Sequence, residues 1–462
     1  MKISFHGADR GVTGSCHMIE CAGKRILIDC GLYQGSRELD EENAEPFGFE
    51  PSAIDYVLLT HAHLDHCGRL PLLVKRGFKG EIITTAASRD LARLVLLDAA
   101  RLEEEETSYR NRKARTRGSS HHEIEPLYEV TDALDALGHF GRTASYQKPV
   151  ELARGIQCTF FDAGHILGSA SIRLNLAEAG QSVTVLFSGD IGNSGRALMR
   201  DPMPPSGNDA VVMECTYGDR LHRPMHLSIE ELYGAIADTF ERGGNVIIPT
   251  FALERAQEIL AVLKEGITGG RLNSSMQVFL DSPMAISATD IFKRHPECFD
   301  SETRALFSAG QDPFGFSGLH FIREAEDSKA LNRISGGAII MAGSGMCTGG
   351  RVRHHLRNNL WRDAASVVFV GFAAKGTLAR QIIDGAKSIT IFGDQVPVRA
   401  RIHTINGFSA HADRDELLKW HRQAKPRQTF LVHGEEEVMA AFASSLAGAE
   451  VHRPVIGQVF EL

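Results

Sequence analysis

The chain has 462 residues, 43% of them hydrophobic and 23% charged, a balance that excludes a disordered, collagen-like or coiled-coil chain and allows two to three domains. Its formal net charge of −8, taken alone, argues against a nucleic-acid partner, which would leave a basic footprint. No apolar run approaches the ~18 residues of a membrane span, and the opening MKISFHGADRG lacks the apolar core of a secretory signal, so a cytoplasmic protein with no membrane partner is expected.

Short runs rich in Val, Ile and Phe, bounded by Gly, Asp or Pro, predict strands at 25–29, 56–60, 183–188, 210–213, 245–249, 278–280, 338–341, 366–370, 389–392 and 429–432. Amphipathic stretches predict helices at 89–106, 228–242, 254–265, 351–361 and 413–422. Strands alternating with helices indicate an α/β protein. Residues 103–120, EEEETSYRNRKARTRGSS, read either as an exposed helix end with a solvated loop or as an arm that meets an anionic partner. The Pro/Gly-rich stretch 195–208 reads as a linker or crossing loop, and a comparable change falls near 393–397. The eight Cys show no CxxC pair, which fits buried thiols in a reducing cytosol.

Twenty His is a generous count, and they are not scattered evenly. His61-Ala-His63-Leu-Asp65-His66 follows directly on the strand at 56–60. Imidazole and carboxylate donors suit zinc. An extended strand end can aim His61 and His63 one way, and the turn after them can aim Asp65 and His66 at a second point. Further on, His165 sits in AGHILGSAS, Asp190 in FSGDIG and His433 in FLVHGE. Each alone reads as a capping or core residue. With the first cluster they make enough N/O ligands for two metals, Asp190 being the natural bridge. Asp29, ending ILIDCG, would reach the same edge.

These ordered motifs resemble those of the metallo-β-lactamase superfamily. The resemblance implies two Zn2+ per chain, one on His61, His63 and His165 and one on Asp65, His66 and His433. It further implies that Asp190 bridges them and that Asp29 hydrogen-bonds the metal-bound water. The next motifs are ECTYGDR with Glu214, PTFALERAQE, LDSPMA, AGSGMCTGGR, GFAAKGTLARQIIDGAK, FSAHAD with His411, and LVHGE. This succession is similar to the β-CASP branch, the nucleases of the superfamily, from Gly7 to about Glu435. His433 is of the type found in RNA-processing members, such as the compact bacterial nucleases, RNase J and the mRNA 3′-end cleaving subunit.

The implied architecture is an αββα sandwich from 1–207 and 396–462, with a Rossmann-like β-CASP domain inserted at 208–395. The implied activity is hydrolysis of single-stranded RNA, as endonuclease, 5′-exonuclease or both, to 5′-phosphate and 3′-hydroxyl products. His411 is the expected general acid, since an imidazole is partly protonated at neutral pH, and Glu214 would orient it. His403 falls beside the proposed site. A small-molecule metallo-hydrolase and a non-catalytic RNA-processing subunit are the competing readings, and a homodimer is left open.

For the substrate, the glycine-rich loop 343–350 leads into a predicted helix whose N-terminus would favour an anion. Ser344, Gly345 and Thr348 are candidates there, Lys375, Gly376 and Thr377 form a second set, and Ser409 is a third. Residues 342–405 carry nine Lys and Arg against three Asp, a local +6, so the overall acidity does not extend to this stretch.

Overall fold

The computed structural model describes every residue except Ser36, residues 117–122, Phe372, Lys375 and Ala447, and only the backbone of Arg37, Glu38 and Asp40. It divides into two compact units, Met1–Ser194 with Arg200–Leu221 and His411–Leu462, and Gly195–Met199 with His222–Ala410.

The first unit is built on two seven-stranded sheets. One runs in the order Val459–Glu461, Lys2–Phe5, His17–Cys21, Lys24–Ile28, Tyr56–Leu58, Glu81–Thr85, Phe140–Ala144. The other runs Glu450–His452, Pro426–Val432, Asn208–Glu214, Gln181–Phe187, Ala170–Glu178, Ile156–Asp162, Pro149–Ala153. Successive side chains of a strand point to opposite faces, and both faces here are apolar. Val185, Val212 and Phe430 pack with Ile3, Phe5, Ile28 and Leu58 of the facing sheet. Their neighbours Leu186, Val211 and Leu431 pack instead on Leu417, Trp420 and Phe442 of the helices Arg414–Ala424 and Glu436–Ser445. The helix Ala86–Thr116 lies against Glu81–Thr85 and Phe140–Ala144 of the other sheet. The result is an αββα sandwich, in which each fully buried large apolar side chain contributes roughly 1.5–3 kcal/mol.

Strand direction creates the site. Lys24–Ile28, Tyr56–Leu58 and Glu81–Thr85 are mutually parallel, so Asp29 and Thr60–His66 leave one sheet at the same edge. Gln181–Phe187, Asn208–Glu214 and Pro426–Val432 are likewise parallel, which sends Asp190, Glu214 and His433 out together. Ile156–Asp162 pairs antiparallel with Ala170–Glu178, itself antiparallel to Gln181–Phe187, so the His165 loop follows at that edge too.

The second unit is an all-parallel six-stranded sheet, Leu319–Phe321, Gln277–Leu280, Ala338–Ala342, Val246–Pro249, Ser366–Phe369, Arg401–Thr404. Its central strands are buried along their whole length, as expected where helices cover both faces. A small hairpin, Ser388–Ile391 with Asp394–Pro397, accompanies it.

The seams fall at 221/222 and 410/411, later than the 207/208 and 395/396 expected. Asn208–Glu214 is held by strands of the first unit on both sides, whereas Arg401–Thr404 pairs with Ser366–Phe369 of the second. The charged run after 103 is also more ordered than its composition suggests. Helix Ala86–Thr116 continues through it, carrying an Arg110–Glu106 pair one turn apart. The Asn111 side chain brackets the backbone of Ile124, donating to its carbonyl at 2.9 Å and accepting from its amide at 3.0 Å. The remainder of that run, from residue 117, lies outside the described residues. All eight cysteines are buried free thiols. Among the described residues no helix is long and apolar enough to cross a membrane.

Candidate metal centre

Asp29 takes a left-handed backbone conformation, φ 63°, which is uncommon outside glycine and turns its carboxylate back toward the next strand end. Oδ1 accepts the Thr60 amide at 2.7 Å, and Oδ2 accepts the Thr60 hydroxyl at 2.8 Å and His66 Nδ1 at 2.7 Å. This differs from the expected role. Asp29 does not reach into open space but fixes the tautomer of His66, whose Nε2 is turned toward the cluster. Such a second-layer carboxylate typically contributes 10–100-fold to metal affinity. Asp29→Asn is accordingly expected to weaken zinc binding by about that factor in competition with a chromophoric chelator; unchanged affinity would refute the role.

The donors gather around Asp190. His61 Nε2 and His165 Nε2 lie 3.1 and 3.2 Å from His63 Nδ1. Asp190 Oδ2 is 3.5 and 3.4 Å from the same two Nε2 atoms. On the other side Asp190 Oδ1 is 3.2 Å from His66 Nε2, and His433 Nε2 is 3.5 Å from Asp65 Oδ2. His61, His63, His165 and Asp190 form one group able to hold an ion, and Asp65, His66 and His433 another. Asp190, Glu214, His411 and His433 form a third, overlapping group.

The donor set fits zinc. Tetrahedral bonds of about 2.0 Å place ligand atoms roughly 3.3 Å apart, the spacing seen here. Both Asp190 oxygens, His66 Nε2 and His433 Nε2 are buried without a hydrogen-bond partner among the described residues. Asp29, Asp190 and Glu214 are almost wholly buried, and carboxylates taken out of water need cations. Burial pushes His61 well below the usual imidazole range and His63 down to about 4, so both are neutral donors. Burial opposes the charge of Asp190 too, but His433, His66 and His411 hold its carboxyl well below the usual range. His66 is pushed the other way against burial, by Asp190 and Asp29. A cation there would replace a proton.

His411 lies beside this cluster. Its Nδ1 is 3.2 Å from Glu214 Oε1 and 3.8 Å from Asp190 Oδ2. Burial would lower its pKa, but the two carboxylates outweigh burial and raise it to about 9. Glu214 Oε1 also accepts the Ile191 amide at 2.6 Å.

Two hydroxyls complete the arrangement without standing out in the sequence. Thr60 is the hub between Asp29 and the histidine run. Thr216 Oγ1 sits 3.1 Å from His433 Nδ1, which leaves Nε2 turned toward Asp65. Each adjoins a motif, but an isolated threonine carries no pattern of its own. His403 proves to be a strand residue of the second unit, paired with Val368, and no metal-holding group among the described residues includes it.

The candidate phosphate-binding residues lie in the second unit. Ser344 Oγ and Thr348 Oγ1 are 3.3 Å apart in a loop closed by Cys347 N to Ser344 O at 3.1 Å and Val352 N to Gly343 O at 3.1 Å. Gly345 packs so close to the Phe251 ring that a Cβ would meet it at 2.8 Å. Thr377 caps the helix Leu378–Ile383, and Ala379 N donates to Met346 O at 3.2 Å, which joins the two loops. Gly376 takes φ 87°, Ser409 follows the short turn Asn406–Phe408, and Lys375 lies outside the described residues. The local +6 is weaker than it reads. Arg351 is tied to Asp281 and Arg401 to Asp238, two carboxylates from outside the stretch, while the Arg357–Asp394 and Arg380–Asp384 pairs are already counted within it.

An αββα sandwich with a histidine–aspartate cluster at one edge of both sheets defines a metal-dependent hydrolase. Residues 9–250 match the model of the metallo-beta-lactamase superfamily, 256–382 the Beta-Casp domain, and 395–454 the Zn-dependent metallo-hydrolase RNA specificity domain. The chain belongs to the β-CASP branch of the metallo-β-lactamase superfamily. It is 41% identical over 460 residues to Ribonuclease TTHA0252 of Thermus thermophilus, covering 99% of both chains. It is 31% identical to the Transcription termination factor FttA of Methanocaldococcus jannaschii, covering 96% of this chain and 69% of that one. An RNase J-like protein of the same archaeon is 30% identical, over 96% and 95% of the two chains. A solved Enterococcus faecalis protein of unknown function shares the fold at a TM-score of 0.56 and 13% identity, over 100% of this chain and 99% of that one.

Proposed function

We propose that the protein is a zinc-dependent ribonuclease that hydrolyses phosphodiester bonds of single-stranded RNA, leaving 5′-phosphate and 3′-hydroxyl ends. The observation that carries the reading is the junction of seven N/O donors, four of their atoms buried without a hydrogen-bond partner among the described residues, with the Glu214–His411 pair. The likeness to a named ribonuclease over nearly the whole chain and the RNA specificity domain over 395–454 support RNA as substrate. His61, His63 and His165 would hold one ion, Asp65, His66 and His433 a second, and Asp190 both. When bound, the ions would supply Lewis-acid chemistry, polarising phosphoryl oxygens and activating water near neutral pH.

The chain's own residues do the rest. Asp29 and Thr60 lock His66, and Thr216 locks His433. Glu214 accepts the Nδ1 proton of His411, so the proton to be delivered sits on Nε2. As the bond from phosphorus to the ribose 3′-oxygen breaks, that oxygen takes the electron pair and the proton, leaving a 3′-hydroxyl and a neutral imidazole. No step uses the 2′-hydroxyl. Ser344, Gly345, Thr348, Gly376, Thr377 and Ser409 are proposed to meet the RNA backbone through hydroxyls and amides, since several nearby arginines are already paired. The buried, unbridged thiols fit a reducing cytoplasm.

The test is cleavage of a uniform single-stranded RNA with either a 5′-phosphate or a 5′-hydroxyl, resolved by product length. Fragments bearing 5′-phosphates and 3′-hydroxyls are expected. Ends with a 2′,3′-cyclic phosphate would refute the mechanism, and the product ladder reads the mode of attack directly.

A further inference from the structure

We infer that Asn193 is a positioning residue for proton delivery, holding His411 at the point where the chain re-enters the first unit. The inference rests on the reading of His411 as general acid. The chain passes into the second unit after Ser194 and finally returns at His411. The acid histidine is therefore the first residue of a returning segment, a place where backbone freedom is costly. A misplacement of about 1 Å at a reacting group can lower a rate 10²-fold.

Three consecutive hydrogen bonds pin that segment to the loop after Asp190. Asn193 Nδ2 donates to the His411 carbonyl at 2.7 Å. The Ala412 amide donates to the Ile191 carbonyl at 2.7 Å. The Asp413 amide donates to Asn193 Oδ1 at 3.2 Å. One side-chain amide thus brackets the histidine's turn by its donor and its acceptor together, a task to which asparagine is suited. The same loop holds the other half of the pair, because the Ile191 amide donates to Glu214 Oε1. Loop 190–193 thereby carries the central carboxylate, Asp190, and fixes both members of the His411–Glu214 pair. The hydrogen bonds of Asn193 given above are to the backbone around His411, not to the imidazole. Asn193 acts through His411.

The experiment uses the zinc-loaded full chain and two single-stranded oligoribonucleotides. One is ordinary. The other carries a 3′-S-phosphorothiolate at a single linkage, whose thiolate leaves without needing a proton. Asn193→Ala is expected to lower kcat on the ordinary linkage about 10- to 100-fold, with zinc content kept and KM nearly unchanged. On the thiolate linkage the loss should shrink to about threefold or less, because general-acid help is no longer required. Asn193→Asp, equal in shape, should behave like Asn193→Ala, since it presents an oxygen to the His411 carbonyl; it carries the test if the alanine variant fails to fold. Equal loss on both linkages, loss of zinc, or full activity would overturn the assignment. His411→Ala separates the two levels. If it too loses equally on both linkages, the general-acid reading fails. If it is selective and the Asn193 variants are not, only the assignment of Asn193 fails.

Discussion

Asp190→Ala is expected to abolish RNA cleavage and to resist rescue by added zinc, whereas wild-type protein stripped with a chelator should recover when zinc is restored. The two carboxylate oxygens face different donors. Oδ2 faces His61 and His165, Oδ1 faces His66, and both are buried with no hydrogen-bond partner among the described residues. Among the described metal-ligating side chains, Asp190 is the one whose two oxygens face both ligand groups. Removing it takes away the anion that holds the imidazoles together and part of the charge that attracts the cations. Losing several kcal/mol of Lewis-acid stabilisation, at 1.36 kcal/mol per tenfold, corresponds to about 10³-fold or more in rate. The measurements are zinc per chain by elemental analysis and the initial rate on single-stranded RNA. A variant that keeps more than about a tenth of the activity would show that Asp190 is not central, since that is under 1.4 kcal/mol. Stoichiometry is read from the same samples, and binding of two zinc ions by wild type is the expected value.

The histidines and aspartates that the structure gathers into one cluster were legible because their signal is dense. His61, His63, Asp65 and His66 fall within six residues behind an apolar strand, and so little chain leaves few ways to point their side chains apart. His165, Asp190 and His433 were legible only in their company, each being a strand-end residue beside a glycine. What lay beyond the sequence is partnership. Nothing in ILIDCG shows that the Asp29 carboxylate is consumed by Thr60 and His66. Nothing in AGSGMCTGGR shows that Arg351 is bound by Asp281 seventy positions earlier. Counting charges along a segment therefore overstated its attraction for RNA. The central parallel strands were found because burial on both faces makes them continuous apolar runs. The edge strands Phe140–Ala144 and Pro149–Ala153, parallel and antiparallel to their neighbours respectively, were missed because most of their residues stay at least partly exposed. Asn193 shows the same limit at the site, since His411 and Asp413, which it holds, lie more than two hundred residues away.

His411→Ala is expected to keep its zinc and lose about 10²- to 10⁴-fold in kcat, the range of general acid–base contributions. The pH dependence makes the role specific. The carboxylates of Glu214 and Asp190 raise the His411 pKa to about 9 from an ordinary 6.5. The proton is therefore present below that value and lost as pH rises through it. Cations beside Asp190 withdraw part of the attraction, while the Glu214 contact at 3.2 Å remains. Wild-type activity should accordingly fall on the alkaline side, with a midpoint no higher than about 9. Glu214→Gln keeps an oxygen against Nδ1 but removes the charge, so it should move that midpoint to lower pH. His411→Ala has no proton to lose at this position and should show no alkaline fall of this origin. An alanine variant with full activity, or one that retains the wild-type alkaline limb, would exclude His411 as the proton donor. A midpoint unmoved by Glu214→Gln would mean that the carboxylate orients the ring without tuning it.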